Sequence, residues 1–239
     1  MVLIPSGPFL MGSDPDVDDL AFDDEQPQHS LYLPAYYLAW TPITNAQYAA
    51  FVEATGCSPP SHWKEGKPPS GEEYHPVVYV SFDAAMAYCR WLSGVTGKPC
   101  TLPSEAEWEK GARGTDGWVY PWGDEWDSQR CNSKEGGSGD ATPVEACPGG
   151  ASPYGLLDMA GNVWEWTRSA YRDYPYDPHD GREDLSAGND VARVLRGGAF
   201  YGYRRSVRCA SRYWGYPYLW DWYYGFRVAS VPPAGCSEI

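Results

Sequence analysis

The chain has 239 residues, of which 43% are hydrophobic and 21% are charged, a balance typical of a folded protein that excludes wholesale disorder. Its 26 Gly, 22 Pro, 12 Trp and 19 Tyr favour turns and irregular loops held by aromatic packing over a helical bundle. The formal net charge of −14 argues against nucleic acid or an anionic membrane surface as a partner, and no apolar stretch is long enough to span a membrane.

The N-terminus and the cysteines predict location and redox state. The first residues lack a basic stretch followed by an apolar core, so no signal peptide is predicted; a cytoplasmic protein is the default, with surface display by another route left open. Seven cysteines are scattered without C-x-x-C spacing, which argues against a zinc ribbon or a thioredoxin motif. If the compartment permits one disulfide, Cys131 and Cys147, which flank a Gly-rich loop, are the predicted pair.

The first part of the chain predicts two strands and one helix. Residues 2–11 alternate as a strand does, and residues 31–40, rich in Tyr and Leu, predict a second strand. Between them, residues 14–25 carry seven acidic side chains, which predicts a solvated loop, with cation binding as the less favoured alternative. Thr44 or Asn45 is expected to cap a short helix.

The next part predicts an irregular connection, a short strand and two more helices. Residues 56–76 are rich in Pro, Gly and Ser, and residues 77–80 predict a brief strand. Residues 84–92 form one apolar stripe at helical spacing, which predicts the second helix. Ser104 and Glu107 have the spacing of a capping box and predict the start of the third.

Beyond residue 114 helical patterns all but vanish. Gly, Pro, Asp and aromatic residues alternate there, which is typical of long loops fixed by aromatic rings. The chain contains no internal repeat and no linker long enough to separate domains. We therefore predict one α+β domain over residues 1–239, with two or three short helices and much irregular structure.

Several phrases, taken in order, resemble the formylglycine-generating-enzyme-like (sulfatase-modifying factor) family. They are MVLIPSGPFLMGS at 1–13, DEQPQH at 24–29, PITNAQY at 42–48, LPSEAEWE at 102–109, YPWG at 120–123, GLLDMAGNVWEW at 155–166, RGG at 196–198 and GFR at 225–227. The resemblance covers essentially the whole chain. It implies a C-type-lectin-like fold, with a small twisted sheet, two or three short helices and extensive irregular loops.

The family's oxidase members imply one possible function. They convert a cysteine of sulfatases to formylglycine, using copper held by two cysteines shortly after the Arg-Gly-Gly phrase. Here residues 199–208 contain no cysteine and Cys209 stands alone, whereas Cu(I) requires soft thiolate or thioether ligands. We therefore expect no copper and no enzymatic activity, and retain the oxidase function only as an alternative.

The variable proteins of diversity-generating retroelements, another branch of the family, imply a different function. Their diversified codons lie between the Arg-Gly-Gly and Gly-Phe-Arg phrases, which correspond to residues 196–228 here. Twelve of these 33 residues are aromatic and none is Asn, and the Tyr, Trp, Gly and Ser composition is typical of antibody paratopes. Six arginines against one acidic residue predict a cationic, aromatic patch on an acidic body.

The predicted function is a non-catalytic ligand-binding protein for an unknown protein or other macromolecular ligand, with an accessory interaction domain as a further alternative. Aromatic residues in such folds are also core residues, which we expect of Phe200, Trp214, Trp220 and Phe226. An extended run such as 220–224 cannot point every ring inward, so the segment favours binding over packing alone. The candidate contact residues are Tyr201, Tyr203, Arg205, Ser206, Ser211, Tyr213, Gly215, Tyr216, Tyr218, Asp221, Trp222, Tyr223 and Tyr224.

The resemblance also implies a structural calcium ion. The family's matching positions supply two side chains and two main-chain carbonyl groups. Transferred here, the ligands are the carboxylates of Asp158 and Glu165 and the carbonyl oxygens of Gly161 and Val163. Hard oxygen ligands in a tight turn suit calcium. The equally favoured alternative is that the two carboxylates cap backbone amides of the turn.

Overall fold

Two four-stranded sheets and one hairpin carry the fold of residues 1–231, the part of the chain that the computed structural model describes. The first sheet has the order β1-β4-β10-β5, the hairpin joins β2 and β3, and the second sheet has the order β8-β7-β6-β9, with β6 and β9 parallel. The strands are β1 (Val2–Ile4), β2 (Gly7–Met11), β3 (His29–Leu33), β4 (Tyr36–Leu38), β5 (Cys100–Thr101), β6 (Trp164–Ala170), β7 (Arg193–Arg196), β8 (Arg212–Gly215), β9 (Tyr224–Phe226) and β10 (Ala229–Ser230).

The three predicted helices are present, and each begins at a side-chain cap. Thr44 and Ser104 form capping boxes with Gln47 and Glu107, and the second helix continues past the predicted end at residue 92. Among the described residues, no helix has the length and apolar character that a membrane crossing requires. The helices are α1 (Asn45–Thr55), α2 (Phe82–Thr96) and α3 (Glu105–Arg113).

The predicted strands are only partly correct. Both N-terminal strands are split in two, and Pro5 and Pro34 lie in the breaks, where the missing N–H prevents a continuous ladder. Residues 77–80 form no strand, because Tyr79 adopts a left-handed conformation with φ of 59°. Its N–H instead donates to the carbonyl oxygen of Asp221 at 2.9 Å, which joins this stretch to the C-terminal segment.

Two hydrophobic clusters form the core. Helices α1 and α2 cover the second sheet, with Phe51 and Tyr88 in the same cluster as Trp166. Helix α3 packs beside the first sheet and the hairpin through Trp108, in the cluster that also contains Phe9. Helix α3 also contacts β6 and β7, so both faces of these two strands are buried, and the connecting loops are the elements left to reach the surface.

The predicted disulfide is not formed. Cys131 and Cys147 are both free thiols, as are the other four cysteines of the described residues. Cys131 is buried in a small cluster with Tyr120, whereas Cys147 is half-buried, and burial raises the pKa of Cys131 to about 12. Cys236 and the last eight residues of the predicted domain lie outside the described residues.

Candidate binding surface

Residues 196–228 are built onto the second sheet. Strands β7 and β8 pair antiparallel with Leu195 opposite Tyr213, and strands β6 and β9 pair parallel with Trp164 opposite Tyr224. Two loops, 197–211 and 216–223, connect these strands and carry most of the aromatic side chains of the segment. The loops therefore start and end on a buried sheet.

Buried arginines clamp the first loop to the body of the protein. The Arg196 guanidinium donates to the carbonyl oxygens of residues 209–211 at 2.8–3.0 Å and is paired with Glu109. Arg208 pairs with both oxygens of Glu25, at 2.6 and 2.7 Å. All four charged side chains of these two pairs are fully buried, so the pairs are shielded from water.

Two further arginines clamp β8 and the end of β9. Arg212 donates to Glu105 at 2.6 Å, and Arg227 donates to both oxygens of Glu165 at 2.6 and 2.7 Å. Burial alone would raise the pKa of Glu105, but the Arg212 and Arg196 guanidinium groups outweigh it and hold that pKa below its usual value. Because a buried charge is costly without its partner, these pairs fix the backbone on which the loops stand.

The predicted cationic patch is wrong. Four of the six arginines at 196–228 are buried and paired with carboxylates, and only Arg204 and Arg205 are exposed. The Arg205 guanidinium donates to the carbonyl oxygens of residues 20 and 21 at 2.9 and 3.1 Å and lies 3.8 Å from the centre of the Phe22 ring. The exposed chemistry of the segment is therefore aromatic.

The acidic segment at 14–25 is only partly the solvated loop that was predicted, because two of its seven acidic side chains are buried and the other five are exposed or half-buried. Glu25 is fully buried and Asp18 is nearly so, and both bind the Arg208 guanidinium at 2.6 Å. The Asp24 carboxylate accepts a hydrogen bond from the Tyr171 hydroxyl at 2.7 Å. Asp18 and Glu25 therefore neutralise Arg208, which the prediction placed in the exposed cationic patch of this protein.

Five aromatic side chains from β8 and the two loops form what we call the aromatic surface. The Tyr201 ring lies 4.8 Å from that of Tyr223 and 6.1 Å from that of Trp222, with which it is stacked. Tyr213 joins this group through the buried ring of Tyr224, at 6.4 Å. Trp220 is joined to the group through the ring of Tyr79, which lies 5.7 Å away and lines a cavity together with Trp222. The aromatic surface consists of Tyr201, Tyr213, Trp220, Trp222 and Tyr223.

A second aromatic group lies on the other face of β8. Successive side chains of a strand point to opposite faces, so Trp214 points away from Tyr213. The Trp214 ring lies 5.7 Å from that of Tyr216, which stacks on Tyr218 at 5.8 Å. The structure therefore does not bring the candidate contact residues Tyr216 and Tyr218 to the aromatic surface.

Three candidate contact residues lie beside the acidic segment, and a fourth supports a loop. Tyr203 is 62% exposed and Ser206 is half-buried, and together with Arg205 they belong to a short turn at 203–207. Asp221 is half-buried, and its carboxylate accepts the N–H of Trp222 at 2.8 Å. Asp221 thus fixes the position of a ring of the aromatic surface.

The remaining candidate contact residues are buried. Ser211 and Tyr224 expose 1% and 5% of their surface. Gly215 is enclosed by the Trp166 ring, since a Cβ atom there would lie 2.7 Å from that ring. These three positions are therefore not available to a ligand in this structure, and Gly215 has no room for a side chain.

Of the four aromatic residues expected in the core, two are buried and two are exposed. Phe200 and Phe226 are fully buried, as predicted. Trp214 and Trp220 are 44% and 52% exposed, so that prediction is wrong for them. The extended run expected at 220–224 is also wrong, because residues 221–224 form a turn in which the Tyr224 N–H donates to the carbonyl oxygen of Asp221 at 3.2 Å.

The predicted calcium ligands lie at the start of β6, where Glu165 is engaged by other groups. Both of its oxygens accept from Arg227, and Oε2 also accepts from the Trp108 indole at 2.8 Å. Asp158 accepts the N–H of Glu145 at 3.3 Å, and burial raises the pKa of Asp158 to about 6. A guanidinium thus occupies the position beside Glu165, and calcium stays a prediction for Asp158, Gly161, Val163 and Glu165.

The thiols near the Arg-Gly-Gly phrase do not match a two-cysteine copper site. Cys209 is the first thiol after this phrase, it is fully buried, and burial raises its pKa to about 12. Within residues 1–231, no three His, Cys, Asp or Glu side chains are grouped so that they could hold a metal ion. The residue set at this position therefore does not fit the copper centre that the resemblance implies for oxidase members.

A cavity of about 290 Å³ beside the aromatic surface was not predicted from the sequence. Trp222 and Tyr79 line it, together with Asn45, His62 and His75. The only sequence signal for this cavity is that two of the four histidines lie within the irregular segment 56–76. Their spacing is not that of metal ligands, so it did not predict a site.

These elements define a small α+β protein with two four-stranded sheets, three helices and loops that are held by buried ion pairs. The chain belongs to the sulfatase-modifying factor enzyme 1-like domain family, which it matches over residues 1–231. It is 33% identical to the formylglycine-generating enzyme of Streptomyces coelicolor, over 96% of this chain and 88% of that protein.

Two other relatives are much longer than this chain. The chain is 35% identical to serine/threonine-protein kinase pkn1 of Chlamydia caviae, over 96% of its own length and 37% of the kinase. It is 31% identical to the hercynine oxygenase of Mycolicibacterium smegmatis, over 95% of its own length and 60% of that protein. The chain therefore spans between about one third and three fifths of these two relatives.

Solved structures confirm the predicted fold. PvdO from Pseudomonas aeruginosa superposes with a TM-score of 0.80 at 25% identity, over 96% of this chain and 93% of that chain. Treponema denticola variable protein 1 superposes with a TM-score of 0.79 at 22% identity, over 97% of this chain and 95% of that chain. The same fold thus occurs in relatives named as enzymes and in one named as a variable protein.

Proposed function

We propose that this protein is a non-catalytic binding protein whose aromatic surface recognises a protein or other macromolecular ligand. One observation carries the proposal: four rings of the aromatic surface, those of Tyr201, Tyr213, Trp220 and Trp222, are between 38% and 52% exposed. Exposed apolar patches on a folded protein mark interaction sites. Tyr and Trp are suited to this role because they offer a large contact area at a low cost in conformational entropy.

The buried ion pairs support the same function. Arg196, Arg208 and Arg212 anchor the loop and strand that carry Tyr201 and Tyr213. A loop that is already ordered loses little entropy on binding, so more of the interaction free energy is left for affinity. In this proposal the buried ion pairs keep the loops ordered, and the aromatic surface makes the contacts with the ligand.

We extend the proposal to diversification of this segment, which the resemblance to variable proteins implies. Sequencing the locus is expected to reveal a near-copy of the coding region for 196–228 that differs at adenines, beside a reverse transcriptase gene. The differences are expected at codons of exposed residues such as Tyr201 and Trp222, because buried Arg212 and Gly215 have no room to vary. Differences concentrated at the codons of buried residues would contradict the proposal that only exposed residues vary.

The second candidate function is a copper-dependent oxidase that acts on a cysteine of sulfatases. It is favoured by the 33% identity to the Streptomyces coelicolor formylglycine-generating enzyme over nearly all of this chain. Residues 199–228 contain a single cysteine, Cys209, where the oxidase members have a pair, and this argues against it. Stoichiometric Cu(I) binding with conversion of the cysteine in a sulfatase-type peptide would establish the oxidase and overturn our proposal.

The third candidate is an accessory interaction domain of a signalling protein. The match to the Chlamydia caviae kinase, of which this chain covers 37%, favours it. Such a domain would bind one fixed partner and would have no adenine-directed near-copy at its locus. We propose no nucleic acid partner for any of these functions, because the net charge is −14 and most arginines of the segment are buried.

A phage-displayed library of random peptides tests the binding function. We expect selection on the immobilised protein to enrich peptides that bind the aromatic surface. Replacing Tyr201 and Tyr213 together by Ser is expected to lower the affinity of these peptides by about 30-fold. This factor corresponds to the roughly 2 kcal/mol of an interface hot spot.

Tyr32→Ser is the matched control for that experiment. Tyr32 lies on β3, outside the segment, and is 64% exposed, so its loss removes a surface tyrosine of the same kind. The affinity of the selected peptides is expected to change less than twofold in this variant. Equal losses in both variants, or no enrichment at all, would refute a binding role for the aromatic surface.

A further inference from the structure

The cavity beside Trp222 is lined by groups that accept hydrogen bonds. Its polar lining residues are Glu72, Asp140, Asn45, His62 and His75. No Lys or Arg is among the residues that line it. We call it the acceptor cavity.

Asn45 supplies a buried acceptor that has no partner. The residue is only 2% exposed, and its amide nitrogen donates to the carbonyl oxygen of Glu72 at 2.9 Å. Because a carbonyl oxygen can only accept, the amide nitrogen must lie on that side, and Oδ1 is left without a hydrogen bond. A buried polar atom of this kind costs free energy until a donor reaches it.

The histidines add two unpaired ring nitrogens. The Nδ1 atoms of His62 and His75 are buried and have no partner. Burial lowers the pKa of His62, so its imidazole is neutral at pH 7 and keeps one nitrogen that accepts. The cavity therefore combines two acidic residues with the unpaired amide oxygen of Asn45 and the neutral imidazole of His62.

The start of α1 does not make the cavity a site for anions. The N–H groups of Asn45 and Ala46 already donate to the carbonyl oxygens of His75 and Glu73, both at 2.9 Å. The N–H of Gln47 donates to the Thr44 hydroxyl that caps the helix. Since these first amides are consumed, an anion would find no free backbone donor there.

Aromatic rings complete the cavity on the side of the aromatic surface. Tyr79 packs against His62 at 4.6 Å and against Trp220 at 5.7 Å, and Trp222 lines the cavity directly. Tyr79 is held at φ of 59°, an unfavourable conformation for a residue with a side chain. Trp and Tyr rings attract cations, which adds to the preference set by the acceptors.

We propose that the acceptor cavity receives a cationic side chain, arginine or lysine, of the ligand that binds the aromatic surface. The inference rests on the proposed function and names the chemistry of one contact of the partner. A volume of about 290 Å³ lies just below the range of small-molecule sites, which suits one long side chain. The guanidinium or ammonium group supplies the donors that the Asn45 and histidine acceptors lack, and its charge complements the two carboxylates.

Imidazole NMR signals test this inference with small probes. The chain has four histidines, and two of them, His29 and His179, lie outside the acceptor cavity and serve as internal controls. The probes are the N-acetyl methylamides of arginine and lysine, with those of glutamate and norleucine as mismatched probes. We expect saturable shifts of the His62 and His75 signals with the cationic probes only.

Two variants test whether the carboxylates are responsible for binding of the cationic probes. Glu72→Gln combined with Asp140→Asn removes both charges of the acceptor cavity from exposed side chains, and is expected to weaken the arginine probe at least tenfold. Glu73→Gln is the matched control, because Glu73 is an exposed neighbour that does not line the cavity. It is expected to change the affinity less than twofold.

The outcomes separate this inference from the proposed function. The absence of a saturable shift up to about 100 mM of either cationic probe, or equal binding of the glutamate probe, would overturn the inference. Selected peptides that lose affinity in the Tyr201 and Tyr213 variant, but not in the Glu72 and Asp140 variant, would also overturn it and leave the proposed function standing. Binding of the arginine probe without any peptide selection would overturn the proposed function instead.

Discussion

Replacing Arg227 by Met is expected to lower the free energy of unfolding by about 3–5 kcal/mol, because it strands a buried carboxylate. Arg227 and Glu165 are both fully buried and joined by contacts of 2.6 and 2.7 Å. Arg227 also donates to the carbonyl oxygens of Leu157 and Ala39 at 2.9 and 3.2 Å. Met fills a similar volume but supplies none of these donors.

The expected loss is large against the whole stability of a domain, which is about 5–15 kcal/mol. At about 2–4 °C per kcal/mol for a chain of this size, the melting temperature is expected to fall by about 6–20 °C. Circular dichroism during heating and during urea titration at pH 7 measures both quantities. Replacing exposed Arg130, which pairs with Asp127 at the surface, by Met is the control and is expected to cost less than about 1 kcal/mol.

A double-mutant cycle isolates the stranded charge. Adding Glu165→Gln to Arg227→Met removes the charge and keeps an acceptor for the Trp108 indole, so the double variant is expected to be more stable than Arg227→Met alone. A loss below about 1 kcal/mol for Arg227→Met would refute the reasoning, as would a double variant that loses the sum of the two single losses.

Two further predictions concern the turn before β6 and the cap of α3. The pKa of Asp158 is raised to about 6 from 3.8, so the folded state binds the extra proton between these values and stability falls as the pH rises through this window. Asp158→Asn should therefore raise the free energy of unfolding at pH 7 by up to about 3 kcal/mol in urea titrations, whereas stabilisation by added Ca²⁺ that this variant lacks would instead support the predicted ion. Ser104→Ala removes the acceptor of the Glu107 N–H, at 3.0 Å, and should cost about 1 kcal/mol in the same titrations; an unchanged stability would contradict the assigned cap.

Local signals were sufficient for the helices and for the family. The capping boxes at Thr44 and Ser104 involve residues three positions apart, so their geometry follows from the local sequence. The ordered phrases of the family extend along the whole chain, and the fold they implied is the observed one. The end of α2 was placed too early because the exposed residues 94–96 still continue the helix, which ends at Gly97 in a left-handed conformation with φ of 67°.

The candidate site was only partly predictable. Its aromatic content was visible in the sequence, but which rings face solvent depends on the strand to which each belongs. Tyr213 and Trp214 are neighbours in the chain and lie on opposite faces of β8. Gly215 was a candidate contact residue, and only the Trp166 ring from another strand shows that it has no room for a side chain. The acceptor cavity joins residues of the first hundred with Trp222, which no local pattern connects.

By itself, the sequence determined the caps, the three helices, the family and the aromatic character of residues 201–223. The tertiary structure decided which charged side chains are buried and paired and which are exposed to solvent. The acidic segment at 14–25 and the arginines of the C-terminal segment were both expected in water, yet Arg208 and Glu25, 183 residues apart, meet in the interior. A charged side chain is stable either in water or against an opposite charge, and only the folded chain brings that opposite charge within hydrogen-bonding distance.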